Sequence, residues 1–82
     1  MLTPAEIEQL IMQGLPDAQT RVSSDDGTHF EALVIAAAFN GKRPLLRHQM
    51  VYLTLGERMG RDIHALSLRT MTPDEWRQQQ GV

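Results

Sequence analysis

The chain has 82 residues, of which 41% are hydrophobic and 22% charged; its formal charge is −2 and it contains no cysteine. That composition excludes a disordered chain and a membrane span, and a chain this short buries only about 60% of the surface it exposes when unfolded, so one core and a single domain over residues 1–82 are expected. The missing cysteines exclude disulfides, a thiol nucleophile and any metal site built from the chain's own thiolates, so a sulfur ligand must come from elsewhere.

The N-terminal "MLTPAEIEQL" has neither the basic start and apolar run of a secretion signal nor a lipidation motif, and the cytoplasm is the expected compartment. Within it, "TPAE" at 3 to 6 sets Thr3 as a helix N-cap, Pro4 at the first helical position and Glu6 three residues after the cap. The helix carries Ile7, Leu10 and Ile11 on one face and stops at Gly14. Two apolar-rich runs follow, "AQTRVS" at 18–23 and "HFEALVIA" at 29–36, separated by "SDDGT". Its Asp-Gly pair predicts an antiparallel hairpin, in which Asp25 and Asp26 read as turn residues.

"AAFNGKR" breaks the second strand, with room for one helical turn, and Pro44 opens a longer helix. Leu46, Met50 and Leu53, then Val51, Leu55 and Met59, recur at helical spacing, which predicts a core-facing stripe ending at Gly60. The third strand runs from Ile63 or His64 to Arg69 or Thr70, and "TPDE" at 72 to 75 repeats the capping signature to open a last helix with Trp76, expected at the base of the sheet, before the chain fades into "RQQQGV". A strand that leaves a sheet through a helix and returns usually lands parallel. Strands two and three are therefore expected side by side and parallel, in an α+β domain with helices on one face of a small mixed sheet and part of the other face wet.

Only three histidines occur, His29, His48 and His64. His29 opens strand two and His64 opens strand three, so parallel pairing would bring both to one edge, with backbones roughly 5 Å apart in matched register. Alternation complicates this, because His64 falls in phase with Leu66 and Leu68, whereas His29 is out of phase with Phe30, Ala32 and Val34. Taken alone, His64 reads more readily as a capping or surface residue than as a metal ligand, and His29 as readily one as the other. His48 lies early in the long helix beside Lys42, Arg43 and Arg47; together they form a local basic patch able to contact nucleic acid or a partner. No Ser-His-Asp order with a nucleophile elbow, phosphate loop or paired carboxylates in a cleft is visible, and an enzyme is not expected.

"DDGTHFEALVIAAAFNGKRPLLRHQMVYLTL" followed by "IHALSLRTMTPDEW" resembles the BolA family, and specifically its short IbaG-like bacterial branch. The resemblance implies an α-β-β-α-α-β-α fold similar to type II KH domains, in agreement with the order of elements read from the residues. It further implies pairing with a monothiol glutaredoxin and a shared [2Fe-2S] cluster whose remaining ligands are the glutaredoxin cysteine and a glutathione thiolate, with no cofactor in the isolated protein, itself a monomer or weak homodimer. The family's signature histidine, at the start of the last strand, corresponds to His64, and the position in or beside the hairpin loop that supplies a second ligand corresponds to His29. Some family members are described as DNA-binding regulators, and the matching helix-turn-helix-like segment is Asn40 to Gln49. In a KH fold a Gly-x-x-Gly loop clamps single-stranded RNA; here it reads Gly41-Lys42-Arg43-Pro44, which lacks the second glycine.

Overall fold

The structure, a computed structural model, describes residues 2–80; Met1 and the Gly81-Val82 end of the "RQQQGV" tail lie outside the described residues. Helix α1 (Pro4–Gly14) leads into strands β1 (Gln19–Ser23) and β2 (His29–Ile35), a 3-10 turn (Ala37–Phe39), helix α2 (Pro44–Leu55), a second 3-10 turn (Gly56–Arg58), strand β3 (Ala65–Met71) and helix α3 (Pro73–Gln79). Both capping boxes form. Thr3 and Thr72 accept from the backbone N–H of Glu6 and Glu75, whose carboxylates accept from the two cap N–H groups in return.

The sheet order is β1-β2-β3, with β1 antiparallel and β3 parallel to the central β2. Register places Phe30 beside Leu66 and Ala32 beside Leu68, so these residues share the face covered by α1 and α2. Ile7 and Ile11 of α1, Val51 and Leu55 of α2, and Phe30, Val34, Phe39 and Ile63 are completely buried there. Each such side chain contributes about 1.5–3 kcal/mol by leaving water, and together they make one contiguous core. The opposite face presents Arg21, Leu33 and Arg69 in one row across the three strands, and at its far end Trp76 of α3 lines a small groove with Leu33 and Ile35. At the outer edge of β1 the Glu8 carboxylate of α1 accepts the Val22 N–H at 2.8 Å, which occupies one of the donors that edge leaves unpaired.

Three expectations need correction. Helix α2 ends at Leu55 instead of Gly60, because Gly56 takes a φ of 57° that L side chains rarely adopt; Gly60, at φ 89°, serves the following turn. Of the expected stripe, Val51 and Leu55 are buried and Met50 packs against the core, but Leu46 and Leu53 do not: Leu53 is 81% and Leu46 43% exposed, while Arg47 and Thr54 are half-buried. Spacings of three and four occur on both sides of a helix this rich in leucine, and burial follows the side that meets α1 and the sheet. Finally, β3 starts at Ala65. Ile63 is drawn fully into the core and forms an isolated bridge to Met59, leaving His64 on a bend before the strand.

Gly14 closes α1 against α2, and a β-carbon there would stand 2.5 Å from Cγ2 and 2.9 Å from Cβ of Thr54. Alanine improves helix propensity by about 1 kcal/mol, but overpacking a filled contact costs about 1–3 kcal/mol. Gly14→Ala is therefore expected to destabilise the fold by about 1 kcal/mol in urea denaturation. Trimming the partner with Thr54→Ala should restore part of that loss, with a coupling of at least about 0.5 kcal/mol; strict additivity in the double variant would show that the two residues do not clash.

Candidate metal centre

The hairpin loop is organised by one carboxylate. Asp26 Oδ1 accepts the N–H groups of Thr28 and His29, both at 2.8 Å, and Asp26 Oδ2 meets Nδ1 of the His29 ring at 2.8 Å. Ser24 Oγ donates to the His29 carbonyl at 2.6 Å and accepts from the Gly27 N–H, whose φ of 75° suits glycine at the turn. The N–H and the ring of His29, with the N–H of Thr28, hold the Asp26 carboxyl far below the ordinary carboxylate range. Asp26, read from the sequence as a turn residue, thus also grips a candidate ligand. A ring at the third residue after an aspartate is the only trace of this in the sequence, and many hairpins share it.

His29 pairs with Ala65 across the parallel ladder, so His64 is one residue short of the matched register. Strand spacing and rise then set the two α-carbons on the order of 6 Å apart, at the same end of the sheet. His64 is exposed and so is His29, whose side chain retains 72% of its accessible surface. The alternation that sets them out of phase persists through β2 and β3, but His64 sits on the bend at Ile63–Ala65 and not in the pleat. Beside His29 lies a shallow cavity of about 350 Å³ lined by Ser23, Asp26, Glu31 and Ser67, among others. Among the described residues no group of three or more His, Cys, Asp or Glu is placed to hold a metal ion. The donors on offer are thus two imidazoles, which suit half of a shared centre and fall short of a complete one. In His29 the ring nitrogen facing the carboxylate is occupied and Nε2 is the one available, the arrangement common to metal-binding histidines.

The expected basic patch lies elsewhere and is smaller. Lys42 and Arg43 precede α2, which leaves the opposite end of β2, so roughly 20 Å of strand separates them from His29. Arg47 does not belong to a free patch: its side chain is only 11% exposed, its Nε donates to the Lys42 carbonyl at 2.8 Å, and its Nη1 and Nη2 bind both oxygens of Glu75 at 2.7 and 3.2 Å. The guanidinium also lies 5.9 Å from the centre of the Phe39 ring. It ties α2 to the capping box of α3. His48 is half-buried on α2, away from the other two histidines, while Lys42 and Arg43 remain exposed. The segment Asn40 to Gln49 is a loop and the first half of α2, preceded by a three-residue 3-10 turn where a helix-turn-helix would need a full first helix.

The family model described as BolA-like protein matches residues 9–75. The chain belongs to the BolA-like family. A BolA protein homologue of known structure from Coxiella burnetii is 49% identical, superposes with a TM-score of 0.79, and the match covers 94% of this chain and 99% of that one. A protein from the rpoN-murA intergenic region of Acinetobacter guillouiae is 34% identical over 88% of this BolA-like chain and 87% of its own length. The DNA-binding transcriptional regulator BolA of Escherichia coli is 40% identical over 67% of this chain and 52% of its own. The match spans 37% of human BolA-like protein 1 and about half of the bacterial regulators. Among the described residues no helix is long and apolar enough to cross a membrane.

The Arg47 clamp makes a measurable prediction for this BolA-like fold. Arg47 first, then the Thr72 N–H, lowers Glu75 from an ordinary 4.5 to about 2. A carboxylate depressed in the folded state stabilises it above its unfolded value, so this contribution is present above about pH 4.5 and is lost as pH falls toward 2. Glu75 is half-exposed, which keeps the effect modest and salt-sensitive. Arg47→Ala should lower the denaturation midpoint at neutral pH and flatten its decline between pH 4.5 and 2. A parallel decline in variant and parent would show that the pair does not couple to folding.

Proposed function

We propose that the chain is an accessory protein for iron-sulfur handling that contributes His64 and His29 to a [2Fe-2S] cluster held jointly with the cysteine of a monothiol glutaredoxin and a glutathione thiolate. One observation carries this reading: the parallel pairing of His29 with Ala65 brings both histidines to one end of the sheet, exposed and without a thiolate beside them. A centre with two imidazoles on one iron and two thiolates on the other has a higher reduction potential than an all-thiolate one. This chain supplies the imidazole half and the partner the sulfur half. It acts by binding, with no reaction of its own, in cluster trafficking or in sensing iron, redox or acid stress.

The isolated protein should stay colourless with iron and sulfide, and colour with mixed sulfur and nitrogen ligation should form on adding the glutaredoxin and glutathione. His64→Ala is expected to weaken cluster retention by at least the ten- to hundred-fold that even supporting groups around metal sites cost. His29→Ala should act in the same direction, and His48→Ala, distant on α2, should leave the spectrum unchanged. A His64 variant with the parent's spectrum and stability would leave that residue a plain strand-end histidine.

A second reading, DNA binding, is favoured by the name of the Escherichia coli relative and by the exposed pair Lys42 and Arg43. Neutralising phosphates makes affinity salt-dependent, so Lys42→Ala with Arg43→Ala should weaken binding and flatten its salt dependence by about two charges. An unchanged salt slope in a gel-shift titration would remove this pair from the interface. The two readings use opposite ends of the sheet, so these variants should spare the cluster and the histidine variants should spare DNA binding.

A further inference from the structure

We infer that Asp26 is the positioning residue for His29: it holds the imidazole as the Nδ1–H tautomer and so presents a bare Nε2 to the metal before any metal arrives. The inference rests on the ligand assignment of His29 above. A carboxylate only accepts hydrogen bonds, so the ring nitrogen 2.8 Å from Asp26 Oδ2 must carry the proton. In the neutral ring the lone pair then lies on Nε2, the nitrogen away from the protein. The same carboxylate is itself immobilised. Its other oxygen is committed to the N–H groups of Thr28 and His29, and Ser24 secures the His29 carbonyl from the far side.

Exposure makes this anchoring necessary. A ring at a loop end with most of its surface in water has no packing to choose its rotamer or its tautomer, and ordering it on ligation would be opposed by entropy. Asp26 supplies that order from within the hairpin. His64 shows no comparable hydrogen bond among the described residues, so the two ligands differ: one is held ready and the other sits on a bend.

The test separates the tautomer from the cluster. Asp26→Asn keeps an oxygen for the N–H groups of Thr28 and His29 but turns an NH₂ toward Nδ1, which must then accept, moving the ring proton to Nε2. In a two-bond nitrogen–proton correlation spectrum of the isolated protein at about pH 9, above the ordinary imidazole range, His29 of the parent should report Nδ1–H, and that of the Asn variant Nε2–H, with the backbone amide spectrum otherwise kept. Asp26→Ala, which removes the anchor, should give a mixture of tautomers. With the glutaredoxin and glutathione added, the Asn variant should retain the cluster ten- to hundred-fold less well. A parent ring found as Nε2–H overturns the inference whether or not any variant folds, and so does a flipped tautomer with undiminished cluster retention. An unaltered cluster in His29→Ala overturns the ligand assignment instead, while the tautomer spectra, which need no metal, still report on Asp26.

Discussion

The parallel ladder between β2 and β3 is the constraint on which the rest depends. Two parallel neighbours cannot be joined by a tight turn, so the chain must cross over through α2, and α2 in turn brings Val51 and Leu55 onto the sheet to close the core. The same pairing sorts the molecule into two ends. Both strands begin at one end, with His29 and the bend at His64, and both finish at the other, where the chain enters the loop before α2 and the cap of α3. Chemistry that needs the two histidines and chemistry that needs Lys42 and Arg43 are therefore held apart by the length of a strand.

At that second end, charge has been used for structure. An arginine one turn into a helix, next to a lysine and another arginine, has the look of a phosphate contact. Its bidentate geometry instead matches the fork of Glu75, which is already engaged in capping α3. Glu75 thereby does two things at once: it closes the capping box and fixes α3 against α2, whose first turn lies over Phe39. Such an ion pair between residues 28 apart is invisible to any local pattern, since nothing in "RPLLRHQM" distinguishes an arginine that points to water from one that points to a neighbouring helix.

Much of the fold was legible because it depends on local signals with strong physics behind them. Two Thr-Pro-x-Glu stretches announced two helix starts to the residue, and Asp-Gly between apolar runs announced the hairpin. The end of α2 is less plain because Gly56 and Gly60 both take positive φ and either could stop a helix. The start of β3 is decided by tertiary fit: Ile63 enters the core as an isolated bridge residue, which delays the strand and puts His64 outside it. The leucine stripe misleads similarly, because Leu46 and Leu53 share the helical period of the buried row but are exposed.

The candidate histidine site is half legible for a related reason. That His29 and His64 lie at one end of the sheet follows from topology, and topology follows from the crossover rule; that the His29 ring is anchored follows from side-chain geometry in a five-residue loop. Asp26 could have turned the hairpin with its backbone contacts alone, as aspartates in such turns commonly do. Its second oxygen reaches the ring because the loop is long enough to fold back over the first residue of β2, so that the contact that shapes the turn and the contact that orients the imidazole come from a single carboxylate. Turn formation and orientation of the imidazole are thus one structural event, and a substitution that preserves the first while reversing the second separates the two.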